Sequence, residues 1–163
     1  MIKILPAITP AHFQEIETLA NTIWREHYIP IIGKAQVDYM LDKFQSAKTI
    51  AEQVQNGFDY FLITFEDTPA CYIAIKTEEE ALFLSKIYVL STYRGKKIAK
   101  AGLLFIEEKA KKQGLKAIRL TVNINNTNAI KAYEKIGFVN VGSLVADIGN
   151  GFVMDDFEMV KAI

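Results

Sequence analysis

Four cations crowd one short stretch of this chain: Arg94, Lys96, Lys97 and Lys100, in Tyr93-Arg94-Gly95-Lys96-Lys97-Ile98-Ala99-Lys100. The stretch joins a strand-forming run, Leu82 to Val89, to a helical pattern in which Ile98, Ala101, Gly102, Phe105, Ile106 and Ala110 share one face. The first N–H groups of a helix have no intrahelical acceptor and sit at the positive end of its dipole. An anion is stabilised there, phosphate above all, and the four cations reinforce the field. A solvated basic helix start would look the same, so this feature alone leaves both readings open.

The 163 residues predict one domain, 1–163, long enough to bury a core. Lys plus Arg and Asp plus Glu both number 19, so no global charge draws the chain to nucleic acid or to an anionic membrane. A basic turn on a neutral protein points instead to a small anionic ligand. Cys71 is the lone cysteine and there are two histidines, which leaves no intrachain disulfide and no zinc ligand set. No signal-peptide pattern opens the sequence and no apolar run has the length of a membrane span, so a cytoplasmic location without membrane contact is expected.

The elements that must position the basic turn follow from periodicity. Ile2 to Leu5 reads as a strand. Thr9-Pro10 supplies an N-cap and a first-turn proline for an amphipathic helix over 10–27, with Pro30 and Gly33 breaking it. Val37, Met40, Leu41 and Phe44 mark a second helix, and Ser46 begins a third that ends near Gly57. Phe58 to Phe65 and Ala70 to Lys76 make a hairpin about Glu66-Asp67-Thr68, followed by the strand at Leu82 to Val89. Gly114 caps the helix after the basic turn. Ala117 to Val122 is a strand, Asn126 to Ile136 a short helix, and Phe138 to Ile148 and Phe152 to Lys161 a closing strand pair. This order predicts an α/β fold with a mixed sheet covered by helices, not a doubly wound one.

Two motifs in this frame resemble the GCN5-related N-acetyltransferases. That family's acetyl-CoA motif, Gln/Arg-x-x-Gly-x-Gly/Ala, follows a core strand and opens a helix. Arg94, Ile98 and Ala99 fit it, while Lys97 replaces the central glycine. Ile87-Tyr88-Val89 matches the hydrophobic strand that precedes the motif. Asn126-Thr127-Asn128-Ala129-Ile130-Lys131-Ala132-Tyr133-Glu134-Lys135-Ile136-Gly137-Phe138 matches the later Asn-x-x-Ala-Ile-x-x-Tyr-x-x-x-Gly-Phe pattern in full.

The resemblance implies a single-domain, mostly antiparallel sheet flanked by helices, with acetyl-CoA as cofactor. Its pyrophosphate would lie on Arg94, Gly95, Lys96, Lys97, Ile98, Ala99 and Lys100, and its pantetheine arm would pair with the main chain of Ile87, Tyr88 and Val89. Tyr133 stands where the family places the acid that protonates the leaving thiolate, and a free phenol, titrating near pH 10, keeps its proton at neutral pH. A tyrosine in the core is the plainer reading of Tyr133. Asn123, Asn126 and Lys135 are further cofactor candidates; a turn residue, an N-cap and an exposed lysine are their plainer readings, capping being favoured for Asn126. If the position of Lys97 demands positive φ, its side chain costs roughly 1–2 kcal/mol. A helical φ at Lys97 is the expectation, and a weakened phosphate turn the alternative.

Direct attack by an amine needs no protein nucleophile but does need a proton acceptor. Glu26 is the candidate base, with Trp24, His27 and Tyr28 as lining of the acceptor site that the family builds from its first helices; for His27 a core position is equally consistent. Ser85 and Lys86 are weaker candidates. Leu84 to Leu90 with Asp155-Asp156 is similar to the subgroup holding bacterial polyamine N-acetyltransferases, for which Glu26, Asp38, Asp42, Asp155 and Asp156 offer carboxylates. The expected acceptor is a primary amine of a small molecule, a polyamine among them. Acetylation of a protein or peptide N-terminus, and a catalytically silent CoA-binding domain kept open by Lys97, are the alternatives. The resemblance also implies a homodimer joined through the C-terminal strands.

Overall fold

A computed structural model describes all residues, 1–163. Its elements in chain order are β1 (Ile2–Pro6), α1 (Pro10–Ile32), α2 (Lys34–Phe44), α3 (Ala47–Gln55), β2 (Phe58–Phe65), β3 (Thr68–Thr77), β4 (Ala81–Val89), a 3-10 turn (Ser91–Tyr93), α4 (Ile98–Lys112), β5 (Ala117–Asn123), α5 (Thr127–Lys135), β6 (Val139–Gly149) and β7 (Phe152–Ala162). The seven strands hydrogen-bond in the order β1-β2-β3-β4-β5-β7-β6. The pairing of β4 with β5 is parallel and covers only Ala81 to Phe83, whereas β1–β2, β2–β3, β5–β7 and β6–β7 are antiparallel. The expected mixed, mostly antiparallel sheet flanked by helices is the fold observed.

Two compact units divide the chain, with β4 and α4 each passing from one to the other: Met1–Thr77 with Leu84–Ile106, and Glu78–Phe83 with Glu107–Ile163. In the first, Thr9 caps α1 reciprocally with His12, and Pro10 takes the first helical position. Contrary to the sequence expectation, α1 runs through Pro30 to Ile32. A proline removes one N–H and crowds the preceding turn, but here the loss falls in the last turn of a 23-residue helix. Gly33 makes the true stop, at φ 87, with its N–H on the Ile29 carbonyl at 2.9 Å. The β2–β3 hairpin turns on Glu66 and Asp67, both at positive φ, as a two-residue loop between right-twisted strands requires.

The core of this unit holds Ile16, Ile50, Ile63, Ile73 and Ile75, all at 0% exposure. A polar chain crosses it. Trp24 Nε1–H donates to Tyr72 Oη at 2.9 Å, and Tyr72 donates to Gln45 Oε1 at 2.7 Å. Gln45 Nε2 donates to Tyr60 Oη at 3.3 Å, and Tyr60 donates in turn to Gln53. The side chains linked in this chain thereby keep partners, as burial demands.

In the second unit Arg119 grips Glu78 through two guanidinium nitrogens, at 2.6 and 2.9 Å, reaches Glu158 at 3.1 Å, and stacks on Phe83 at 4.2 Å. Paired and stacked in this way, one planar cation ties the start of β4 to β5 and β7. Lys161 on β7 meets Glu107 of α4 at 3.3 Å.

Candidate active site

The basic turn has the backbone of an anion cradle. Gly95 is at φ 79 and Lys97 at φ 63, so two left-handed residues alternate with extended or helical neighbours and turn successive N–H groups to one side. The first α4 bond runs from Ala101 N–H to Lys97 C=O at 3.1 Å, which leaves the N–H groups of Ile98, Ala99 and Lys100 without an intrahelical acceptor. The helical φ expected at Lys97 is therefore wrong: this lysine takes the conformation in which glycine is unstrained, and pays for a β-carbon there.

Arg94, Lys97 and Lys100 are exposed, and the Lys96 ammonium lies over the Phe65 ring at 5.3 Å. Ile98 is 1% exposed, so it offers a main-chain N–H only. Gly102 lets the helix sit close on the strands: a β-carbon there would fall 2.7 Å from Ile73 Cδ1 and 3.2 Å from Ile63 Cδ1. Helix-start N–H groups without an intrahelical acceptor are donors of the kind that an extended anion such as a pyrophosphate takes several of at once.

Directly before this turn, β4 continues past its ladder to β5. Leu90 N–H is bonded to Ala70 C=O on the β3 side at 2.9 Å. Strand alternation then directs the N–H and C=O of Val89, and of Ile87 before it, away from β3. Such an edge can pair with an extended chain carrying amides.

Against the end of α1 stands an aromatic surface. The hydroxyls of Tyr28 and Tyr88 are 2.8 Å apart, and both rings stand edge-on to Trp24 at 5.5 Å. His27 is half-buried, edge-on to Tyr28 at 4.7 Å. Trp24 is 3% exposed with its N–H spent on Tyr72; it forms the floor of this surface, not the lining expected of it. The phenol of Tyr88, noted in the sequence only for its main chain, was missed. The signal was its place two residues after Lys86 and two before Leu90 on one strand face. Burial pushes the Lys86 ammonium down to about 8, and its Nζ donates to Ser85 Oγ at 3.0 Å.

Glu26 is exposed and accepts the Ser91 hydroxyl at 2.9 Å. It thus ties α1 to the 3-10 turn that leads into Arg94. Asp38 is held by Arg25 at 2.6 Å and Lys34 at 2.8 Å, and these partners keep its carboxyl below the usual range. Neither carboxylate is idle.

In the second unit, Asn123 Oδ1 accepts Asn125 N–H at 2.9 Å, closing the turn after β5. Asn126 occupies the N-cap position of α5, yet its side chain makes no capping bond. It is 6% exposed. Its φ of −86 and ψ of 66 depart from the extended geometry from which a cap side chain reaches forward, so the favoured capping reading fails. Tyr133 is half-buried and stands edge-on to Phe138 at 5.6 Å, neither a core tyrosine nor a free surface one. Lys135 is exposed. Asp156, on β7, is 3% exposed, and its Oδ1 has no hydrogen-bond partner.

A family model described as "Acetyltransferase (GNAT) family" matches residues 16–138. A spermidine N(1)-acetyltransferase of Thermoplasma acidophilum is 30% identical over 133 residues, spanning 77% of this chain and 83% of that protein. Among solved structures, the PaiA N-acetyltransferase of Thermoplasma acidophilum in complex with coenzyme A superposes with a TM-score of 0.83 at 22% identity, covering 100% of this chain and 99% of the other. The ribosomal-protein-S18-alanine N-acetyltransferase of Escherichia coli gives 0.73 at 19% identity, covering 100% and 94%. The two structural likenesses establish the fold.

Proposed function

The chain belongs to the GNAT acetyltransferase family, and from that premise we propose that it acetylates a primary amine of a small molecule, polyamines being the favoured class, with acetyl-CoA as donor. The observation that carries this reading is the pair of left-handed residues, Gly95 and Lys97, aiming helix-start N–H groups beside the strand edge at Ile87 and Val89. When bound, acetyl-CoA supplies an acetyl group activated as a thioester. The N–H groups of Ile98, Ala99 and Lys100 would hold the pyrophosphate, with Arg94, Lys97 and Lys100 adding charge. Ile87 and Val89 would fix the amides of the pantetheine arm, orienting the reacting carbon. We assign Tyr133 Oη as the donor of the proton that the departing sulfur takes up.

The polyamine class is supported by the 30% identical relative, whose name is a spermidine acetyltransferase, and by the Tyr28–Tyr88 surface, since tyrosine faces attract ammonium groups. A homodimer is part of the same reading: β6 is an edge strand, with Val139, Val141 and Val145 at 63, 55 and 67% exposure, and such an edge invites pairing with another copy. Free-thiol release from acetyl-CoA against spermidine, a peptide N-terminus and simple alkylamines tests the function. Release with spermidine is expected. Release only with the peptide would move the acceptor to protein N-termini, and release with none would leave a domain that binds CoA without chemistry.

A further inference from the structure

Lys161, half-buried, is held by Glu107 at 3.3 Å. Lys86 is half-buried too but meets no carboxylate, and its Nζ donates to Ser85 Oγ at 3.0 Å. That bond fixes where the amine lies. Neighbouring side chains leave a strand on opposite faces. Tyr88, two residues on from Lys86, packs against Trp24 and Tyr28 of α1. Ile87 faces α4 instead, its Cδ1 lying 3.6 Å from the place of a β-carbon on Gly102. Lys86 therefore leaves β4 on the α1 face and Ser85 on the α4 face. To meet, the two side chains must bend round an edge of the strand. β3 closes one edge, whereas the other has no ladder bonds beyond Phe83. The amine thus stands at the open edge of β4, the edge assigned above to the pantetheine arm.

The direction of that arm brings the thioester to the same place. With the diphosphate on Arg94 to Lys100, an arm running along β4 away from the turn reaches Val89 first and then Ile87. Its far end comes to Ser85 and Lys86, a step within reach of a lysine's four-carbon stem. Burial also favours the reactive form of the amine. With its ammonium pushed down to about 8, Lys86 is neutral in on the order of one-tenth of molecules at pH 7, against less than about one in a thousand for a free lysine. A desolvated lysine of this kind is a nucleophile toward a carbonyl carbon.

We propose that Lys86 is a self-acetylation site, taking the acetyl group from bound acetyl-CoA when no acceptor is present. The inference rests on the cofactor placement in the function proposed above. The Nζ lone pair forms the new bond to the thioester carbon, the carbon–sulfur bond breaks, and coenzyme A leaves as its thiolate with the bonding pair. The nitrogen's surplus proton passes to water. The product is a neutral amide, so the modification removes the cation from the strand face that carries Tyr88.

Incubation of purified wild type with acetyl-CoA and no acceptor, read by intact mass, peptide mapping and free-thiol release, tests this. One acetyl group on Lys86 with one equivalent of thiol is expected. Lys86→Arg should lose that label, Arg94→Ala should acquire it about tenfold more slowly, and excess unacetylated coenzyme A should suppress it. An unmodified Lys86 in wild type, or label spread over exposed lysines such as Lys97 and Lys100, overturns the proposal. Thiol release with spermidine beside an unmodified Lys86 would leave the transferase reading standing while the proposal falls. A labelled Lys86 with no release to any amine would uphold the proposal and overturn that reading instead.

Discussion

Lys97 holds a left-handed backbone at the mouth of the phosphate turn (φ 63), a conformation that disfavours any β-carbon. Lys97→Gly should relieve that strain, partly offset by the entropy of a glycine in the unfolded chain, for a net gain of about 0.5–1 kcal/mol in denaturant unfolding. Acetyl-CoA affinity should fall little, because the proposed holding is by N–H groups that the variant keeps. A large loss of affinity would show that the lysine ammonium is the main ligand. Asp156 gives a pH signature of its own. Its folded value of about 6 lies above the ordinary 3.8, so between these values the folded chain binds more protons than the unfolded one. Stability contributed by this group therefore falls as pH rises through that window. Asp156→Asn should flatten the slope and add about 1–2 kcal/mol at neutral pH, measured as the difference between the two unfolding curves. Tyr133→Phe should cut turnover about a hundredfold or more while sparing acetyl-CoA affinity, and undiminished turnover would remove the acid assignment.

At the scale of elements, what could be read in the sequence was what is decided locally. The basic turn, the helix face of Ile98 to Ala110 and the full Asn126-to-Phe138 pattern lie in continuous stretches, and apart from the longer α1 the elements follow the expected order. What depends on distant partners stayed hidden. Trp24 looks like lining until Tyr72, 48 positions away, takes its N–H and Gln45 completes the buried chain. Pro30 looks like a helix stop until the proline itself is seen to fall in the final turn of α1. Asp155 and Asp156 are indistinguishable as neighbours in sequence, and only strand alternation buries one of them. Gly102 marks where α4 approaches the strands. Gly102→Val would push its side chain into Ile73 and Ile63, and overpacking of this kind costs about 1–3 kcal/mol. Because α4 carries the N–H groups proposed to hold the phosphates, acetyl-CoA affinity should fall in the same variant, and calorimetry beside denaturant unfolding reads both losses.

For the molecule as a whole, charge balance and a single basic turn direct attention to one small anion, and the exposed β6 edge directs it to a second copy of the chain. Val141→Lys with Val145→Lys should convert a dimer to a monomer in light scattering without lowering the melting temperature by more than a few degrees, since both side chains already face solvent. A wild-type chain that stays monomeric across the accessible concentration range would set that assembly aside. No helix is long and apolar enough to cross a membrane.

The central claim is that the turn from Arg94 to Lys100 holds the diphosphate of acetyl-CoA, and calorimetric titration of acetyl-CoA into wild type and Arg94→Ala tests it most directly. Saturable one-to-one binding by wild type, weakened about tenfold in the variant as one charge-assisted contact is lost, is the predicted result. No binding by wild type, or equal binding by both proteins, would contradict it.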